Sequence, residues 1–469
     1  MPRAIAPLIV GGVILLTPVP EGLSPNAWRY FALFAAVITG VITEPIQPAA
    51  LGLAGVALAA TFRLVRASPA DATSWALSGF ANSTVWLIFA AYMFTLGYSK
   101  TGLGRRLALL LIGAMGRRTL GLGYAITLAD LVLAPFTAST TARSGGTIYP
   151  IIRGIPELYG SRPGDASARK IGAYLMYTAA STTLVTSSMF ITALAPNALA
   201  VSLIASSLDI TISWVDWFKG FAPVGFLLLL IVPILLYKIY PPEIKEAPQA
   251  PRWALDELRT MGPITRNEIT LLVLVLGALT LWIGATRYVD PTVAAILVVA
   301  LMVILRIVSW NEVIGHAQAW NVLVWFATLV TLASGLAETK FIDWLAQSIV
   351  PSLSGRSVYA TIVGLVGAFF FLHYFFASIT AHTATLFPVF LAIAIKLPGV
   401  SPLTWALLLG YSLGLMGILT PYGGAHLAVY YGSGYIRGRD FWVLGLILGV
   451  VFFCVYIAII VPWLAFLGI

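Results

Sequence analysis

Two short stretches carry residue types that could do chemistry. FTASTTARSGGTIYP runs from Phe136 to Pro150 and holds Ser139, Thr140, Thr141 and Arg143 ahead of Gly145 and Gly146. FFASITAHTATLFP runs from Phe375 to Pro388 and holds Ser378, Thr380 and His382. Arg143 and His382 stand 239 positions apart, each at the centre of a polar tip between apolar arms. Hydroxyls donate hydrogen bonds. A guanidinium is a planar fork matched to a carboxylate. A histidine is a second, pH-dependent cation with an ordinary pKa of about 6.5. Gly145 and Gly146 permit tight turning and close approach of backbone to a ligand, and Pro150 and Pro388 mark helix starts or kinks in the returning arms. A helix returning from such a tip aims its unpaired N–H groups and partial positive charge at whatever sits there. Taken singly, each hydroxyl also suits helix–helix contact, and Arg143 suits a snorkelling cation. Paired at matching places, they favour one anion with two charged ends.

Two further stretches supply walls. TSSMFITALAPN brings Thr186 and Ser187, then Pro196 and Asn197; GILTPYGGAHL brings Thr420 and Pro421 before Gly423 and Gly424. Proline beside Asn or Gly-Gly inside an apolar run predicts a broken helix rather than a simple kink, and broken helices at corresponding places mark transport sites. Asp130, in the first arm, is an intramembrane acid that is expected to pair with Arg143, carry a proton or meet a polar helix contact. His373 and His426 read as structural or capping residues. A zinc enzyme built on His373, His382 and His426 lacks any metal-ligand spacing such as HExxH. No nucleophile–base signature stands out either, so the chain is expected to be neither an enzyme nor a metal or cofactor binder.

What positions these tips is a membrane-embedded scaffold. The chain has 469 residues, 59% hydrophobic and only 10% charged, with mean hydropathy +0.94; soluble domains carry about 25% charged residues. This is an all-α polytopic membrane protein. The net charge of +9 is scattered at the ends of apolar spans, which sets topology and argues against nucleic acid. Cys454, the single cysteine, has no disulfide partner and reads as packing. No cleavable leader stands out in MPRAIAPLIVGGVILLTP. Apolar runs near 20 residues predict eleven spans plus two re-entrant hairpins, at about 120–156 and 357–395. The divisions are an N-terminal span (1–27), a first repeat (28–240), a polar linker (241–267) with a surface helix near Trp253 to Met261, and a second repeat (268–469). Asn82, Val85 and Trp86 recur as Asn321, Val324 and Trp325; Thr192, Leu199, Ala200 and Val201 recur as Thr420, Leu427, Ala428 and Val429. Five spans per half make the repeats inverted, a transporter architecture. With a cytoplasmic N-terminus and an outer C-terminus, 18 Lys and Arg fall inside and 8 outside, as the positive-inside rule requires. The first hairpin then opens from the cytoplasm and the second from outside.

Four blocks carry a resemblance: ASTTARSGGTIYPI at 138–151, TSSMFITALAPN at 186–197, ASITAHTATLFPV at 377–389 and TPYGGAHLAVYYGSGYI at 420–436. With them the whole chain resembles the divalent anion:sodium symporter superfamily, in its citrate/succinate and 2-oxoglutarate/malate translocator branch. The resemblance implies a homodimer in the lipid of the inner membrane, with scaffold and transport domains and elevator-type movement of di- and tricarboxylates. The Ser-Asn-Thr hairpin signatures of that family fall on Ser139-Thr140-Thr141 and Ser378-Ile379-Thr380. Both lack the central Asn, which removes two amides that would help shape a sodium site.

The expected function is therefore obligate exchange of one dicarboxylate for another, with little sodium dependence. Carrying Arg143 unpaired across the bilayer costs at least about 2.5–3.5 kcal/mol, which slows the empty carrier roughly 100-fold. Malate, succinate, 2-oxoglutarate, citrate and tartrate all fit the donors named. Sodium- or proton-coupled symport on the same fold is the alternative, and an anion channel a remote one, because opposed hairpins do not make a continuous polar pore.

Overall fold

The computed structural model describes residues 2–285, 287–353 and 355–469. Met1 in the expected N-terminal span, Thr286 at the end of the span expected over 268–286, and Ser354 before the second hairpin lie outside the described residues. Helix dominates. Among the described residues eight helices are long and apolar enough to cross a membrane, or nine if Pro69–Ala81 and Ser83–Thr101, bent by 40°, form one span. Ile5–Leu16, Pro48–Thr61, Ala195–Leu208, Pro291–Ile304 and Ile379–Ala394 are shorter apolar helices.

Local sequence explains the boundaries. Pro25, Pro48, Pro69, Pro291 and Pro402 open helices, where a missing N–H costs nothing. Ser24, Ser68, Asp290 and Ser401 cap four of those helices through their side chains, each worth about 1 kcal/mol. Thr265 and Glu268 close a reciprocal capping box at Arg266–Gly284. The expected linker helix appears as Gln249–Met261. It packs on Leu103–Met115, joined by an ion pair between Arg105 and Glu257. Nearby, Arg106 Nε donates to Glu268 Oε1 at 2.5 Å.

Both runs expected to hold a broken helix, about 171–205 and 403–430, are interrupted. In place of 171–205 stand Gly172–Met189 and Ala195–Leu208, separated by extended backbone at Phe190 and Leu194. In place of 403–430 stand Pro402–Leu415 and Ala425–Gly432, with Thr420 and Gly424 extended between them. Each hairpin has a similar break. Thr119–Leu133 runs into a 3₁₀ turn, an extended Thr137 and a π-helical return over Thr141–Ile148. Val358–Phe371 runs into a 3₁₀ turn, an extended Phe376 and the return helix Ile379–Ala394.

The order of elements repeats. The series from Pro25–Thr43 through Pro48–Thr61, Ser83–Thr101, Leu103–Met115, hairpin, broken helix and Trp214–Ile239 recurs from Arg266–Gly284 to Gly438–Phe466. Pro48–Thr61, Ser83–Thr101, Pro291–Ile304 and Ala317–Glu338 pack into one group. Gly172–Met189, Trp214–Ile239, Pro402–Leu415 and Gly438–Phe466 pack with the hairpins into a second. Ala195–Leu208 lies between the groups, against both Ala317–Glu338 and the second hairpin's return helix.

Candidate anion site at the two broken hairpins

Arg143 is the best-held side chain in the region, and it does not face a cleft. Its side chain is fully buried. Nε donates to Asp130 Oδ2 at 3.2 Å. Nη1 donates to the carbonyls of Thr137 at 2.8 Å and Ala193 at 3.0 Å. Nη2 donates to Ser187 Oγ at 2.6 Å. Asp130 in turn accepts from Thr183 Oγ1 at 3.0 Å and from Thr186 Oγ1. The expectations that Arg143 presents its fork to substrate, and that its charge is unpaired, are corrected here. An arginine at membrane depth needs a counter-charge, and the nearest is the carboxylate thirteen residues earlier in its own hairpin. Of the three roles expected for Asp130, the pairing with Arg143 and the polar helix contact are both observed. Thr186 and Ser187, expected as substrate ligands, hold this ion pair instead.

The other tip residues are placed differently. Ser139 and Ser378 each turn their hydroxyl inward as a cap. Ser139 Oγ accepts from the Ala142 N–H at 3.2 Å, and Ser378 Oγ accepts from the Ala381 N–H at 3.3 Å. Caps of this kind satisfy one of the orphan amides of a helix start and leave the earlier ones free for an anion. Thr140 is buried beside Ser139, while Thr141, Ser378 and Thr380 are only half-buried.

The broken helices meet the tips through backbone. The Ala195 N–H donates to the Ala138 carbonyl at 3.1 Å. Thr192 Oγ1 donates to the Pro135 carbonyl at 2.5 Å. His373 Nε2 lies 2.9 Å from the Gly423 carbonyl, which gives that histidine the structural role expected of it. Pro196 sits in the first turn of Ala195–Leu208, and Pro421 is buried in the second break. Asn197 Nδ2 donates to the carbonyls of Ser187 and Phe190, at 2.7 and 3.0 Å, closing the first break. Its Oδ1 has no partner among the described residues, nor has Thr420 Oγ1. Burying such an atom unpaired costs about 1–3 kcal/mol, so both mark a polar locus. Both ring nitrogens of buried His382 are also unpartnered. The ring sits edge-on to Phe369, Phe376 and His373 at centroid distances of 4.6, 4.9 and 5.2 Å. A cation facing a carboxylate was expected there; an apolar cage has formed around it, because the ring folds back under its own tip.

The halves exchange contacts. The first hairpin's π-helix packs on Ala425–Gly432, with Ser144 Oγ 2.8 Å from Tyr430 Oη. The second hairpin's return helix packs on Ala195–Leu208. At the first break the amino end of Ala195–Leu208 meets the first tip through the Ala195 N–H and Ala138 carbonyl. Sequence reasoning missed Tyr430, which stands in the quoted YYGSGY run, and Thr183, one turn before Thr186 and Ser187. Two clefts reach the hairpins. One of about 630 Å³ touches Gly146, Thr147 and Pro150 beneath Lys100, Arg105 and Trp253. The other, of about 390 Å³, touches Ser378.

A sodium ion would need a set of oxygens around one point. At the first tip the Thr137 and Ala193 carbonyls already accept from Arg143.

Comparison with known proteins gives concordant results. Residues 1–469 match the sodium:sulfate symporter transmembrane region. The chain is 46% identical over 474 residues to the L-tartrate/succinate antiporter of Escherichia coli strain K12 and to that of Shigella sonnei, covering 98% of this chain and 97% of each relative. Solved structures share the fold at low identity. The Alcanivorax borkumensis YdaH transporter aligns at TM-score 0.58 and 16% identity, over 89% of this chain and 97% of that one. Neisseria gonorrhoeae MtrF, from a class of antimetabolite efflux pumps, aligns at 0.59 and 14%, over 92% and 97%.

Proposed function

The chain belongs to the sodium:sulfate symporter family of membrane carriers, and from that premise we propose that it exchanges C4 dicarboxylates, of the tartrate and succinate kind, across the inner membrane. The observation that carries this is the full-length 46% identity to L-tartrate/succinate antiporters. The geometry supports it. On this reading the helix amino ends at the tips and breaks, each with about half a positive charge, face a dianion together with Asn197, Thr420, Thr140, Thr141, Ser378 and Thr380. Arg143 and Asp130 balance one another, so they no longer explain a stalled empty carrier; the uncompensated amino ends and unpaired polar atoms do. A bound dianion satisfies them, and an empty site crosses the bilayer with them exposed to low dielectric. With the first-tip carbonyls engaged by Arg143, no sodium ion supplies drive at that place. Sodium dependence of uptake is the measurement that separates exchange from symport.

For topology we keep a cytoplasmic amino terminus. Ion pairs fall within the expected faces: Lys100–Glu312 and Arg106–Glu268 on one, Arg66–Glu338 and Lys396–Asp343 on the other. On this scheme the group around Ala317–Glu338 is the scaffold and the hairpin group is the moving transport domain. Ser378 stays in reach of the aqueous cleft, and Ser378→Ala is expected to weaken dicarboxylate binding about tenfold, read by thermal shift against succinate.

A further inference from the structure

The cleft of about 390 Å³ at the second tip has two unlike walls. One is the hairpin itself, with Phe376, Ala377, Ser378 and Ala381; the other is the end of Pro25–Thr43, with Val41, Ile42, Thr43 and Glu44. The hairpin wall offers donors, at the start of a helix. The opposite wall offers a carboxylate, from Glu44, beside the Thr43 hydroxyl, which donates to the Thr39 carbonyl at 2.9 Å. The end of Pro25–Thr43 carries the negative end of the helix dipole. Glu44 adds a carboxylate, which among the described residues is in no ion pair.

Glu44 also stands where a different residue would be easier. It ends the helix in the left-handed region, at φ 46°, with its N–H donating to the Gly40 carbonyl at 2.8 Å. Glycine or asparagine is the usual occupant of such a cap, because a side chain there is strained. Asp209 ends Ala195–Leu208 with the same left-handed cap, so what sets Glu44 apart is its place at the wall of a cleft that reaches Ser378.

We infer that Glu44 is a specificity-determining residue for hydroxylated dicarboxylates, an inference that rests on the dicarboxylate reading above. A carboxylate repels a dianion unless the ligand turns a donor towards it. Tartrate and malate carry hydroxyls that donate to Glu44 while their carboxylates face the hairpin amides. Succinate has no hydroxyl and gains nothing from that wall. A trianion such as citrate adds a third charge against it and is disfavoured. A site that hydrogen-bonds a ligand hydroxyl discriminates strongly against the analogue lacking it.

The test uses the full-length carrier in liposomes, loaded with succinate and supplied with labelled tartrate, malate or succinate outside. Glu44→Gln is expected to raise the KM for tartrate and malate about tenfold, the loss of a charge-assisted hydrogen bond. Succinate, relieved of the repulsion, is expected to show an unchanged or lower KM, and citrate to become a better competitor. Glu44→Gly, which also relieves the backbone, is expected to raise the thermal midpoint while showing the same loss of preference. Equal effects on all three substrates, or none, overturn the assignment. Failure of the unmodified carrier to transport any of them instead sinks the dicarboxylate reading itself.

Discussion

Arg143 shows how far a single residue can be read before its neighbours are known. Its type and depth called for a negative partner, and the chain supplied one in Asp130. Removing one member of a buried pair costs about 3–5 kcal/mol, because the other is left charged. Arg143→Ala is therefore expected to lower the thermal midpoint sharply, with dicarboxylate no longer able to restore it. Asp130→Asn combined with Arg143→Gln leaves no buried charge and is expected to recover much of the loss, and with it succinate binding in the same assay. A stable double variant blind to every dicarboxylate would return Arg143 to the ligand set. The sequence made the polar tips legible because hydroxyls, glycines and a cation are rare inside apolar arms. It left the direction of Arg143 open, since whether a guanidinium turns to ligand or to protein depends on contacts with Thr137, Ser187 and Ala193 that span more than forty residues of chain.

Among elements, the breaks were the most legible feature. Pro196-Asn197 and Thr420-Pro421 with Gly423-Gly424 announce them, because proline withholds an N–H and glycine tolerates extended backbone. The π-helical return at Thr141–Ile148, which packs against Ala425–Gly432, was not legible, since π geometry is rare and carries no composition signal of its own. Close helix approach was equally hidden. A Cβ at Gly414 would lie 2.3 Å from Ser188 Oγ and 2.7 Å from the Leu184 carbonyl, so Gly172–Met189 and Pro402–Leu415 touch only because that residue is glycine. Gly414→Ala is expected to cost about 1–3 kcal/mol, visible as a lower midpoint in detergent; an unchanged midpoint would mean the two helices do not meet there. Movement between the two packing groups has its own test. With Cys454, the only cysteine, replaced by alanine, cysteines at Val41 and Ala381 face the cleft beside Ser378. Bridging them is expected to arrest transport reversibly, with activity returning on reduction. Full transport in the oxidised protein would show that these groups do not separate in the cycle.

On the scale of the whole molecule, the chain is a carrier whose two halves each lend a hairpin to the other's broken helix. Its composition already fixed a polytopic membrane protein, and the charge distribution proposed an orientation. Coupling was the hardest property to read. The missing Asn at Thr140 and Ile379 pointed away from sodium, and the guanidinium among the first-tip carbonyls supports that for a more specific reason. Exchange itself rests on the site's need for an anion before it crosses. The direct measurement is labelled succinate uptake into proteoliposomes that are either empty or loaded with tartrate, each in sodium and in choline. Obligate exchange predicts rapid uptake only into loaded vesicles, at the same rate in both salts. Accumulation in empty vesicles driven by a sodium gradient would contradict it.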